Sequence, residues 1–431
     1  MTINVRFPGV SCRSTMRKTA EKEEKSSTVY TVLRRVNLLA KIFLVSPYTI
    51  KDDCSVVLNR TLSWVQFASL MLTVLLEIRF QTESSDLVYH GNPYKLLASM
   101  RALASVLLSM LTSIEMKFNH RKIERIFDEI GDLNRTIQFN RSQLREYAKT
   151  VTWFATLFLT AMSISLLSVA RRKDAPMWNK LLLTFHVMRL VSLPIVMQIQ
   201  FVALAALIAR YIEWTKETLR SRLPQAKKQY PISNELFILT KSTGEITPKW
   251  TARRVQEIRC CYGRINDLKV LINEAFSFRL WLLTINTFIE LVFYIFLSVM
   301  VLQFWNSYGS GVYSPPLILH SAWTLLIACL FFQMVSLCET ISSSGKEIGV
   351  LVHQLFTDAH SPTIREELSA FSMELLHRNT SITAYKFFNI DYPLVSSVLA
   401  SSLTYIIILL QFQFPDYDDG LRPIQDLLSR S

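Results

Sequence analysis

The stretch PLVSSVLASSLTYIIILLQFQF, Pro393–Phe414, has 22 residues and no charge. At 1.5 Å per helical residue it reaches across the ~30 Å hydrocarbon layer of a bilayer, which takes about 20 residues. Six more such runs lie upstream, at Leu58–Ile78, Leu96–Met116, Tyr147–Ala170, Leu181–Ala209, Leu280–Phe304 and Leu317–Cys338. Half of the 431 residues are hydrophobic, a load that one soluble core of this size would struggle to hide. The fold class expected is therefore all-α: a polytopic membrane protein of seven transmembrane helices.

The net charge of +13 suggests nucleic acid at first sight, but its distribution points elsewhere. Setting aside the long loop between the fourth and fifth spans, 21 Lys and Arg fall on the amino-terminal side of the membrane and 8 on the other. Short loops rich in Lys and Arg stay in the cytosol, so the amino terminus is expected inside and, after seven spans, the carboxyl terminus outside. The first 28 residues contain no apolar core of the kind a signal peptide needs. Cys12, Cys54, Cys260 and Cys261 fall in expected cytosolic segments and Cys329 and Cys338 in the sixth span, so no external disulfide is expected. The sequons at Asn59, Asn134, Asn140 and Asn379 lie on the same inner side.

The chain divides into a cytosolic segment at 1–57, helices one to four at 58–209 and a cytosolic linker with a helical extension at 210–279. Helices five and six follow at 280–338, a cytosolic helical segment at 339–392, the last helix at 393–414 and an outer tail at 415–431. Within the long loop, Val255, Ile258, Tyr262, Ile265, Ile272 and Phe276 recur at steps of three and four, with Lys269 the polar exception, as in a heptad seam. Ile364, Leu368, Phe371 and Leu375 form a second stripe after Pro362. Both are expected to pack together beside the membrane, with a contact between subunits as one variant and a lipid-surface helix as the alternative. The polar stretch 221–249 reads as a linker.

No HExxH, GxSxG or P-loop occurs, and His353, His360 and His377 are scattered, so neither an enzyme nor a cofactor or metal is expected. In the last helix, Ser397, Ser401, Thr404, Ile408 and Gln411 share one face by their spacing of four and three. A polar stripe in a membrane helix suits water or close packing against another helix. Asp416, Asp418 and Asp419 just beyond it would concentrate cations at an outer mouth if several copies surround an axis. The outer halves of spans two to six carry Arg101, Trp178, His186, Arg189, Tyr294, Gln303, Trp305, His320 and Trp323, with Glu290 near mid-membrane. Aromatic walls with a few polar groups suit a small ligand, although Arg189 and Glu290 are equally candidates for a structural ion pair with each other or a neighbour.

The last helix also carries Thr404, Tyr405, five hydrophobic residues (Ile406 to Leu410), Gln411 and Phe412, a pattern that resembles the carboxyl-terminal signature of insect gustatory receptors. FFNID at Phe387–Asp391 and LAKIFLVSPY at Leu39–Tyr48 resemble the segments before that family's last and first helices. The resemblance implies a tetrameric, tastant-gated cation channel in the plasma membrane of chemosensory neurons, with itself or other gustatory subunits as partners beside the lipid bilayer and permeant cations. It places Gln411 and Phe412 near an outer constriction lined also by Ile408 and Ser401, with Thr404 and Tyr405 fixing the pore helices. Ile406 stands where the sugar-sensing branch has Glu, which favours bitter or noxious compounds over typical sugars. The rival readings are an odorant-type channel, a transporter and a receptor coupled to G proteins. The last would want an external amino terminus and a DRY or NPxxY motif; NPY at Asn92–Tyr94 lies ahead of the second span and does not qualify.

Overall fold

In a computed structural model, the structure describes residues 23–51, 56–83, 92–137, 141–170, 176–221, 251–308, 314–378 and 380–413. Helices dominate: α1 (Glu23–Ile42), α2 (Arg60–Glu83), α3 (Asn92–Phe118), α4 (His120–Thr136), α5 (Arg141–Ala170) and α6 (Met177–Arg220). They continue with α7 (Ala252–Tyr308), α8 (Ser314–Asp358), α9 (Pro362–His377) and α10 (Tyr392–Gln413). Two small antiparallel hairpins interrupt them, β1 (Tyr48–Ile50) with β2 (Val56–Leu58) and β3 (Thr383–Ala384) with β4 (Phe388–Asn389).

Over their described residues the seven apolar runs lie on helices α2, α3, α5, α6, α7, α8 and α10, apart from Leu58 and Asn59, which precede α2. Among the described residues, parts of α5, α6, α7, α8 and α10 are long and apolar enough to cross a membrane by length and composition. The apolar part of α2 is shorter, Arg60–Leu76, and α3 is diluted by Arg101 and by Ser99, Ser105, Ser109, Thr112 and Ser113. Seven spans thus includes two helices that composition alone marks weakly.

The 57 residues of α7 make a rod of about 86 Å, nearly three times the hydrocarbon thickness. Its apolar part, Leu280–Phe304, can occupy the bilayer, leaving the preceding turns to project beyond it. The 44-residue α6 and the 45-residue α8 project at the same end, where α1, α4 and α9 pack around them. The heptad seam is what joins this projecting end. Val255, Ile258, Tyr262, Ile265, Lys269, Ile272 and Phe276 are all buried, and so are Leu368 and Phe371 of α9. The partners are helices of the same chain, which answers the question of what these stripes cover and leaves no face of the seam for a lipid surface.

Ion pairs stitch the rim of this region. Arg264 reaches Glu129 (2.8 Å) and Asp132 (3.2 Å), tying α7 to α4, and this pairing raises the Arg264 pKa further despite the desolvation that opposes it. Arg378 bonds Asp267 (2.6 Å) and Glu374 (2.7 Å), tying the end of α9 to α7. Lys216 pairs with Glu213 (3.0 Å) and Glu347 (2.7 Å), joining α6 to α8. Asn134 accepts the Tyr211 hydroxyl (2.7 Å) and is buried, so this sequon is a packing residue. No disulfide joins Cys260, Cys261, Cys329 and Cys338 among the described residues.

Candidate functional site: the last helix and a buried polar cluster

The chain enters α10 through a tight hairpin. Tyr385 and Lys386 take positive φ (50° and 63°), the left-handed conformation a two-residue turn needs and non-glycine residues resist, and the Phe387 amide closes the turn on the Ala384 carbonyl (3.0 Å). Asn273 of α7 clamps this hairpin, its Oδ1 accepting from the Thr383 amide (3.1 Å) and its Nδ2 donating to Thr383 Oγ1 (3.3 Å). Tyr385 packs edge-to-face on Phe278 of α7, and Phe387 lies tilted against Trp281 of the same helix. Asp391 then caps α10, its carboxylate accepting from the Leu394 amide (3.3 Å), with Pro393 tolerated in the first turn.

Once formed, α10 touches its own bundle along one narrow stripe. Val398, Ser402 and Ile406, four residues apart, are buried against α7 and α8, while Leu399, Leu403 and Ile407 are exposed. The six residues singled out in this helix, Ser401, Thr404, Tyr405, Ile408, Gln411 and Phe412, are all exposed on the isolated chain, Phe412 at 74%. Tyr405 is also held by an edge-to-face contact with Phe288 of α7 (5.6 Å). The hydroxyls of Ser397 and Thr404 bond back to the carbonyls of Pro393 (2.9 Å) and Ala400 (3.0 Å) one turn earlier.

A second constellation lies inside the bundle. Arg101 of α3 donates through Nε to both oxygens of Glu290 on α7 (3.0 and 3.2 Å), and through Nη2 to the Tyr294 hydroxyl (3.4 Å). Its guanidinium also lies 4.7 Å from the Phe293 ring centre. Glu290 thus has a structural partner, and it is Arg101. Beside this cluster, Gln198 of α6 donates to Thr287 (3.0 Å), while its own carbonyl oxygen is buried without a hydrogen bond among the described residues. Spacing could have found this row, since Thr284, Thr287, Glu290 and Tyr294 recur on one side of α7.

Trp323 is brought to a different place. It is 2% exposed and donates through Nε1 to Ser165 (3.0 Å), joining α8 to α5. Trp178 is exposed at the start of α6, as an interfacial anchor would be. The side chains of His186, Arg189, Gln303, Trp305 and His320, and the whole of Asp416, Asp418 and Asp419, lie outside the described residues, as does the 222–250 stretch of the linker.

These elements define a class: a seven-helix membrane protein with a wide helical end, a polar bundle interior and a peripheral last helix. The chain belongs to the 7tm chemosensory receptor family, whose model matches residues 33–414. Over 168 residues it is 28% identical to gustatory receptor 23a of Drosophila melanogaster, covering 38% of this chain and 43% of that one. Putative gustatory receptor 28a of the same fly is 22% identical over 204 residues, 47% of this chain and 42% of that one. The chain thus spans less than half the length of these relatives. In structure it resembles the insect olfactory receptor OR5 of Machilis hrabei, solved with and without eugenol, with TM-scores of 0.63 and 0.64 at 14% identity, covering 90% of this chain and 99% of that one. At that identity the likeness is one of fold. The resemblance read from the Thr-Tyr to Gln-Phe signature is borne out.

Proposed function

We propose that this chain is a subunit of a tastant-gated cation channel, with α10 lining a central pore. The observation that carries this reading is the surface of α10 itself. A helix this apolar that buries only a narrow stripe, and turns its Ser, Thr and Gln face away from its own bundle, is built to meet other copies around a wet axis. Four copies satisfy the reading, as homomer or with other gustatory subunits. The wide helical end is then cytosolic, in keeping with the Lys and Arg count, and the carboxyl terminus is outside.

Gating follows from dewetting. A ring of Ile408 and Phe412 excludes water when narrow, and a small displacement that brings Gln411, Thr404 and Ser401 toward the axis lets hydrated cations pass. A ligand drives this only if it binds the open arrangement better. The polar interior around Arg101, Glu290 and Tyr294 is the candidate pocket, together with His186, Arg189, Gln303 and His320, while Trp323 is committed to Ser165 between α8 and α5. Asp416, Asp418 and Asp419 would gather cations at the mouth, and Ile406 favours bitter or noxious agonists over a typical sugar.

The test is recording from excised patches without nucleotides while a tastant panel is applied, beside staining of an epitope placed after Ser431. Agonist-evoked cation current with intact-cell staining is expected. An agonist response that vanishes on excision and returns with GTP would overturn the channel reading, and staining that needs permeabilisation would overturn the orientation.

A further inference from the structure

Apart from the bundle interior just described, a partly open cavity of about 60 Å³ lies at the wide end, where α1 and the β1–β2 hairpin close over α3, α4, α6 and α7. Its walls are mostly apolar, with Leu33, Val36 and Ile50 among them. Most of its polar lining is already committed. Asn37 donates to the Tyr48 carbonyl (3.0 Å), Ser46 donates to Asn37 (3.3 Å), and the Tyr48 hydroxyl donates to the Met116 carbonyl. Burial holds the Tyr48 phenol protonated, pushing its pKa up to about 12 against the opposing charge of Arg279, with Glu115 and Glu124 adding to the rise.

The exception is Arg279, which is 2% exposed and lines the same cavity. Its Nε donates to Glu115 (2.7 Å) and its guanidinium rests 4.7 Å from the Phe276 ring centre, yet its Nη2 is buried with no hydrogen-bond partner among the described residues. A buried guanidinium donor left unpaired is costly enough that its acceptor has to come from elsewhere. Gln200 brings an amide to the same space.

We propose that this cavity is a binding site for a small uncharged oxygen-bearing molecule, of the size and type of a short alcohol or ketone, whose oxygen accepts from Arg279. Size sets one limit, since the space holds about four water-sized atoms. Charge sets the other. Glu115 already balances Arg279, so an anion would bring an uncompensated charge into a largely apolar space. Such a molecule would act from the cytosolic side, on the helix that also clamps the hairpin before α10 through Asn273. The site stands whether or not the chain conducts ions, and its test reads binding rather than current.

Full-length protein carrying Val36→Cys, in lipid nanodiscs, is treated with methyl methanethiosulfonate and the labelling rate at position 36 is followed by peptide mass mapping. Ile50→Cys serves as a second reporter should the first variant fail to elute as wild type, and Val350→Cys, exposed on α8, is the control. At ten times its half-protecting concentration, 2-propanol is expected to slow labelling inside the cavity about tenfold and leave the control unchanged. Formate, as small but charged, is expected to give no protection. Labelling that 2-propanol does not slow would show a cavity holding water only. Protection by formate would show an anion site, and a thiol that never reacts would show a space closed to solutes. Any of these three overturns the proposal.

Discussion

Glu290 is costly to disturb, because it is buried and pairs with Arg101. Glu290→Ala leaves the Arg101 guanidinium in the membrane interior without the carboxylate that balances its charge. Loss of one partner of a buried pair costs about 3–5 kcal/mol. A marked fall in the melting temperature of the solubilised protein is expected, while the double variant Arg101→Met/Glu290→Leu recovers most of it. If the single and double variants melt alike, the pair is not a stabilising unit. Sequence reading placed Glu290 near mid-membrane and left its ion-pair partner as either Arg189 or a neighbour. The cation came from α3, 189 residues earlier, because which helices become neighbours is a matter of packing that one-dimensional spacing does not encode.

At the scale of elements, the seam of α7 was legible because its period is the period of a helix, and the structure buries every position named. Two elements of the same kind went unread. Val29, Leu33, Val36 and Ala40 of α1, and Ile123, Ile126, Ile130 and Leu133 of α4, are buried at the same steps of three and four. They lie in segments whose Lys and Arg drew attention to sidedness before packing. Lys269 tests the seam directly. It is buried just outside the membrane-crossing part of α7, and desolvation, aided by Arg378, lowers its pKa from 10.5 to about 8. Between those values the unfolded chain binds more protons than the folded one, so folding stability rises with pH there, and below pH 8 the full penalty of a buried charge is carried. Lys269→Met is therefore expected to melt higher than wild type at pH 7, with its advantage shrinking between pH 8 and pH 10.5. An advantage that does not change with pH would mean that Lys269 keeps its proton across the range.

For the whole molecule, the last helix asks for company that one chain does not supply. Disulfide cross-linking of Gln411→Cys in native membranes should give bands of two or more subunits, whereas Leu283→Cys, buried in α7, should add none beyond the wild-type background. Equal cross-linking from both positions would remove α10 from the subunit contact. The number of spans and the family signature could be read from the chain, since both are written in contiguous residues. The narrow buried stripe of Val398, Ser402 and Ile406 could not, because Leu399 and Leu403 beside it are just as apolar and only the position of α7 chooses between them.

The unbroken length of α7 has a mechanical meaning of its own. Pivoted between Arg279 and Glu290, a rigid helix carries Asn273, about 17 Å from the pivot, through about 0.3 Å for each degree of tilt. With Glu290 and Tyr294 on one arm, and Arg279 and the Asn273 clamp on the other, the helix is a lever whose fulcrum lies in the membrane. A nudge too small to alter any single contact could then be felt at the hairpin from which α10 begins.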